Sequence, residues 1–269
     1  MIKLTRSNPP EKLTKEEQKK LTEEFKKDKK KSVWNKPYIR DALLKECNGK
    51  CIYCESLIGS GNKEMHVDHF HYKDKYVDEV VSWNNLNPSC PHCNKSKSTH
   101  DTYEDPIINP FEDNPQDYFY ITNYRYRSKN KNVDNIVRNT INVLGLNDTD
   151  DLVKKRFDLC NALSDKIITI YDLAIEYQST LSDNIPKRNR VLKGCKNLLR
   201  LCINTAEFSA FMATTIQEDD YYKKLKNLLQ ELNIWDEELD ELDKSANKIK
   251  LATSRDNKKR LLHSWFKTM

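Results

Sequence analysis

The hydrophobic and polar positions of the chain fall into three stretches of different rhythm. The first is almost wholly polar. Pro9 and Pro10 are followed by Thr14-x-x-Glu17, the spacing of a capping box, and this predicts a helix to about Lys31 whose main apolar pair is Leu21 and Phe25. A stripe that thin predicts an arm rather than a core element. Pro37 then opens a second helix with Ile39, Leu43 and Leu44 on one face, and Asn48-Gly49 ends it with a left-handed turn.

The middle stretch changes period often. Residues 64–70 alternate enough to read as a strand, residues 73–81 as a loop or second strand, and the polar residues 94–101 as the opening of a helix. The prolines at 106, 110 and 115 predict an extended segment leading into a β-prone run over 118–126. From Asn135 the period turns helical and stays so. Ile136, Ile141, Val143 and Leu144 precede a stop at Gly145, and helices are predicted over 152–177, from Ile185 through Leu198, Cys202 and Phe211, over 221–232 and over 237–266. This half reads as a packed helical bundle. The fold class is α+β, mainly α.

Composition narrows the compartment. No apolar run approaches a membrane span and the Lys-rich N-terminus has no apolar signal region, so the expected location is the cytoplasm, with no membrane partner. In a reducing compartment the eight cysteines read as ligands or core residues rather than disulfides. Cys51-x2-Cys54 and Cys90-x2-Cys93 form two knuckles suited to one tetrahedral structural zinc ion. Cys160, Cys195 and Cys202 fall at apolar helical positions, and Cys47 ends a helix close enough to Cys51 to compete as a ligand. The net charge of +5 is already present in residues 1–31, which permits a polyanionic partner, and a second basic run, Arg125, Arg127, Lys129 and Lys131, is interleaved with Tyr124 and Tyr126 as in a surface that stacks and neutralises nucleic acid.

The knuckles are 35 residues apart, wider than a zinc ribbon, so a folded insert lies between them. It contains Asp68-His69, a hard oxygen ligand beside an imidazole, and Asn94 directly follows the last cysteine. That set suits a one-metal phosphodiesterase, with oxygen ligands for Mg²⁺ or Mn²⁺ and a histidine to take a proton from water. On a strand Asp68 and His69 point to opposite faces, so they serve one site only if the strand bends or ends there. His66 and His71 flank the pair; His92, inside the second knuckle, could replace a cysteine as ligand, but the complete set of four cysteines predicts a solvated position, and His100 and His263 carry no pattern of their own.

Cys-x2-Cys, Asp-His, Asn-Leu-x3-Cys-x2-Cys-Asn-x2-Lys over residues 51–97 resembles the HNH nuclease motif with its ββα-metal core, in the subgroup whose last histidine is an asparagine. The resemblance implies Asp68 and Asn94 as ligands of the catalytic metal, His69 as general base, Asn85 as the residue bracing the loop that carries His69, and Lys97 as a phosphate contact. Arg125 and Arg127 join Lys97 as candidate substrate contacts. More loosely, the N-terminal arm, Asp105-Pro-Ile-Ile-Asn-Pro and the helical tail are similar to the HNH subunit of Septu-type anti-phage systems and related retron effectors, which implies an SMC- or ABC-like ATPase partner. Family members often continue Glu-His into an Arg-Pro-Lys-like stretch, whereas this chain has Asp68-His69-Phe70-His71-Tyr72-Lys73. The expected parts are a basic N-terminal arm (1–36), an HNH nuclease domain with structural zinc (37–133) and a helical domain (134–269). The leading expectation is a DNA endonuclease; a zinc-stapled adaptor that does not cut, and an RNA (tRNA) nuclease using the same site, are the alternatives.

Overall fold

Thr14 caps the first helix of the computed structural model, which describes residues 1–180 and 184–254. Its hydroxyl accepts from the Glu17 N–H at 3.1 Å, and α1 runs Lys15–Lys27. Pro37 occupies the first turn of α2, Pro37–Glu46, where its missing N–H costs nothing. The chain divides into two compact units, Met1–Tyr118 with Ser128–Asp148, and Phe119–Arg127 with the described residues from Thr149 onward.

At the centre of the first unit, β1 (His66–His69) pairs antiparallel with β2 (Leu86–Ser89), with His66 opposite Ser89 and His69 opposite Leu86. The short helix α3, Pro91–Lys97, follows β2 directly and packs against β1. This is a ββα arrangement. Three residues of α3 precede the helix start expected at 94, because Cys90 itself caps the helix and Pro91 begins it; Ser98, at φ 47°, ends it. The segment 73–81 is loop with one 3-10 turn, Val77–Glu79. A four-residue helix, α4 (Pro115–Tyr118), and α5 (Asp134–Val143) complete the unit.

The N-terminal segment does not behave as an arm. Leu21 and Phe25 are fully buried, and Phe25 meets the edge of Trp34 at 5.8 Å between ring centroids. Upstream, the Leu4 N–H donates to the Pro110 carbonyl at 2.9 Å, and the Arg6 guanidinium reaches Glu46 at 3.0 Å and Asn87 Oδ1 at 2.7 Å. The stripe of α1 is thin, but Met1, Leu4, Leu13 and Val33 on either side of it are buried too, and Arg6 supplies planar, forked donors.

In the second unit β3 (Phe119–Thr122) lies between β4 (Arg125–Ser128) and the parallel β5 (Ala252–Thr253). The β-prone run is thus a hairpin, turned by Asn123 and Tyr124, both at positive φ. The long helix α6, Lys154–Ser179, packs against α7 (Ile185–Arg200), α8 (Ser209–Glu218) and α9 (Asp220–Glu231). The single helix expected from Ile185 through Phe211 is two, broken where Phe208 adopts φ 48°. Likewise α10 stops at Ile249 (Glu237–Ile249), and Ala252 and Thr253 turn back beside β3; the remainder of the helix expected to 266, and His263, lie outside the described residues. No described helix is long and apolar enough to cross a membrane.

Candidate active site

Two turns bring the four cysteines together. After α2 the chain doubles back, with the Glu55 N–H donating to the Cys51 carbonyl at 2.9 Å; after β2, Cys90 Sγ accepts from the Cys93 N–H at 3.4 Å. The Sγ atoms of Cys51, Cys54, Cys90 and Cys93 all lie within 4.8 Å of one another and are buried. Tetrahedral zinc with Zn–S bonds of about 2.3 Å requires sulfurs roughly 3.8 Å apart, and Cys54 and Cys90 stand at 3.6 Å. The donor set fits zinc. Cys47 is not in this group, and burial pushes its thiol up to about 11, where it keeps its proton.

The staple positions what lies between. β1 ends at His69, so the strand alternation that would separate Asp68 from His69 breaks there, and both line one cavity of about 320 Å³ with Trp34, Lys73, Asp74 and Asn94. Asp68 is buried, its Oδ2 accepting from the Tyr53 hydroxyl at 2.6 Å and its Oδ1 from Lys97 Nζ at 3.1 Å. Each carboxylate oxygen has two acceptor positions, so one remains at each for a hard cation.

His69 Nε2 lies 2.9 Å from the Val80 carbonyl. A carbonyl only accepts, so Nε2 carries the hydrogen and Nδ1 is left with the lone pair. Burial, helped by the charges of Lys73 and Lys97, pushes the imidazole down to about 4, and the ring is neutral at physiological pH. Its orientation is fixed from a second side by Trp34, edge to face at 4.5 Å and 87°.

Asn85 touches none of these groups. Its amide N–H bonds reach the His71 and Glu79 carbonyls at 3.2 and 3.1 Å, and its Oδ1 accepts from the His71 N–H at 2.6 Å. It ties both ends of the loop after His69. Asn94 sits in the first turn of α3, its Nδ2 donating to His66 Nδ1 at 3.1 Å, which leaves Oδ1 for another partner. Asp68 and Asn94 therefore offer oxygen donors suited to Mg²⁺ or Mn²⁺.

Other expected contacts land elsewhere. Lys97 is buried, its ammonium bonded to Asp68 and, at 2.5 Å, to the His69 carbonyl; it is an internal counter-ion, not a solvent-facing phosphate contact. Arg125 and Arg127 belong to β4 in the second unit, Arg125 donating to the Asn123 carbonyl. Tyr126 beside them is fully buried against Phe119 and Phe211, and Tyr124 bonds Asn161, so that run is not an open stacking platform. His71 stacks on Tyr103 at 3.7 Å and bonds the Thr102 hydroxyl. His92 meets the Gly145 carbonyl at 3.2 Å instead of lying in solvent. Two residues at the site escaped the sequence reading. Tyr53 sits inside the first knuckle, where its place alone was a signal, whereas Trp34 lies outside any motif.

Comparison with known proteins gives a family and two relatives. The HNH endonuclease family model matches residues 51–100. Septu protein PtuB of Bacillus thuringiensis is 36% identical over 248 residues, covering 92% of this chain and 94% of that protein. Septu protein PtuB of Bacillus mycoides (strain KBAB4) is 37% identical over 71 residues, 22% of this chain and 24% of its own. No solved structure matches. With an HNH segment spanning the cysteine staple and the Asp68-His69 pair, and similarity along nearly the whole of both chains, the protein belongs to the Septu PtuB family.

Proposed function

We propose that this chain is a metal-dependent HNH endonuclease that hydrolyses phosphodiester bonds of DNA, acting in the cytoplasm as effector of an anti-phage defence complex with an SMC- or ABC-like ATPase. The carrying observation is a buried, neutral His69 with its Nε2–H given to Val80, sharing one cavity with Asp68 and Asn94. His69 Nδ1 takes the proton of the attacking water. Tyr53 and Lys97 hold the Asp68 carboxylate in place, and His66 holds the Asn94 amide so that its oxygen is available. Bound by Asp68 and Asn94, Mg²⁺ or Mn²⁺ would supply charge stabilisation for the departing 3′ oxygen, leaving 5′-phosphate and 3′-hydroxyl ends. Cys51, Cys54, Cys90 and Cys93 hold structural Zn²⁺ and Asn85 holds the loop.

In this reading the unit formed by residues 1–118 and 128–148 is the nuclease domain, Arg125 and Arg127 contact the DNA backbone, and the helical unit from Thr149 onward docks the ATPase. Leu21 and Phe25 are already buried, so the apolar stripe of residues 1–36 is not offered to a partner, whereas Phe157, Ile168 and Ile175 stand exposed along α6. The test is nicking of plasmid DNA, with RNA alongside, by the native protein and by His69→Ala in Mg²⁺ or Mn²⁺. Loss of a positioned base is expected to slow cleavage by about 10²- to 10⁴-fold; undiminished cutting by the variant removes His69 from the mechanism. Co-migration with an ATPase encoded beside this chain tests the partner, and separate elution rejects it.

A further inference from the structure

A phosphodiester entering the cavity brings negative charge beside two carboxylates, Asp68 and Asp74. Lys97 answers Asp68 from the protein side and is buried, with its ammonium turned onto Asp68 and the His69 carbonyl. Among the described residues lining the cavity, Lys73 is the one cation. Its side chain is half-buried, its Nζ rests 3.1 Å from Asp74 Oδ2, and it stands 5.7 Å from the centre of the Trp34 ring. The same indole meets the His69 imidazole edge to face at 4.5 Å. One side chain thus touches both the group proposed to take a proton and the cation nearest to where a phosphate would sit.

Building on the endonuclease reading, we infer that Lys73 is the phosphate-binding cation of this site and that Trp34 is a positioning residue holding Lys73 and His69 in fixed relation. The ammonium exchanges its contact with Asp74 for a non-bridging phosphate oxygen, swapping one ion pair for another, and the aromatic face keeps its stem from swinging into solvent. Trp34 lies outside residues 51–100, so the segment ahead of the HNH match contributes to the site. Trp34 itself is held by Phe25 of α1 at 5.8 Å, which connects the first helix to the catalytic cavity.

The test uses the full chain with a fluorescent DNA duplex. In a His69→Ala background, which binds without cutting, equilibrium binding is measured across a salt series with Mg²⁺ present. Lys73→Met is expected to weaken binding and lower the slope of log K against log salt by about one, while Lys73→Arg keeps the slope. With His69 intact, Lys73→Met raises KM more than it lowers kcat. Trp34→Ala lowers kcat at saturating DNA by up to about 100-fold, as expected of a misplaced base, and Trp34→Phe restores most of it. An unchanged slope and KM in Lys73→Met, equal damage from Trp34→Phe and Trp34→Ala, or no DNA binding at low salt overturns the inference. If the native protein binds with the Lys73-dependent slope but never cuts, the phosphate site stands and the endonuclease reading falls.

Discussion

At the scale of single residues, the decisive fact is that Asp68 is buried with two proton donors of different kinds. Lys97 neutralises its charge, and the Tyr53 hydroxyl at 2.6 Å fixes its orientation. Removing either has different consequences. Tyr53→Phe keeps the ring and deletes one bond to a charged acceptor, a loss of about 1.5–3 kcal/mol in stability; a carboxylate freed to rotate should also bind Mn²⁺ about 10- to 100-fold more weakly. Thermal melts and a Mn²⁺ titration of cleavage measure the two effects, and an unaltered Mn²⁺ dependence would leave Tyr53 a packing residue only. Lys97→Met instead strands a buried negative charge, at about 3–5 kcal/mol, and should reduce the yield of folded protein, whereas Lys73→Met should melt like the parent. The two lysines were not distinguishable in the sequence. Asn94 and Lys97 share a face of α3 at i, i+3, but α3 is so short that its last residue lies one turn deeper, against Asp68. Only the pairing of β1 with β2, which spacing does not report, decides that this face points inward.

Between residue and molecule stand the elements, and here legibility followed how each element is held. Long helices announce themselves by period: the buried positions Cys160, Leu163, Ile167, Ala174 and Tyr177 carry α6. The break between α7 and α8 has no glycine or proline to mark it, because Phe208 itself takes the left-handed conformation with its ring in the core. β2 was hidden by Pro88, an unusual strand residue tolerated in a two-stranded sheet where its missing N–H is not needed. β5 exists only because residues more than a hundred positions earlier offer β3 an open side. In the helical unit one polar residue joins three helices: Asp243 of α10 accepts from Gln217 of α8 at 2.7 Å, from the Tyr222 hydroxyl of α9 at 2.5 Å, and from Lys226 of α9 at 2.6 Å. Burial opposes its charge, yet the bonds from Lys226, Tyr222 and Gln217 together hold its carboxyl below the usual range. A depressed carboxyl contributes stability above its unfolded value near 3.9 and loses it as pH falls through the folded value. Asp243→Asn should therefore destabilise the chain by about 1–3 kcal/mol at neutral pH, and the deficit should shrink in denaturant titrations taken below about pH 4. A deficit that stays constant into acid would show the amide to be failing for steric reasons.

For the molecule as a whole, the two units differ in what makes them fold. The second unit buries large side chains along and beside five helices, among them Phe208, Phe211, Tyr222 and Leu225, and no cluster of metal-ligating side chains is found among its described residues. The centre of the first is a pair of four-residue strands and a seven-residue helix. So small an arrangement cannot stand on its own apolar surface. A zinc ion held by its four cysteines would close the gap, since binding free energy at a structural zinc site is folding free energy. Arg6 leans on the same centre, its guanidinium donating to the Leu86 carbonyl at 3.1 Å and to Asn87 Oδ1 at 2.7 Å. Cys90→Ser should therefore lower zinc content, abolish cleavage even in excess Mg²⁺, and raise amide hydrogen exchange across residues 51–97 and in α1 and α2. Protection in α6 to α10 should persist, with most of the helical circular dichroism retained. Collapse of protection throughout 149–254 would mean that the two units fold as one cooperative body. Unchanged exchange over 51–97 would mean that packing alone holds the ββα centre, and that the four thiols are a core and not a metal site.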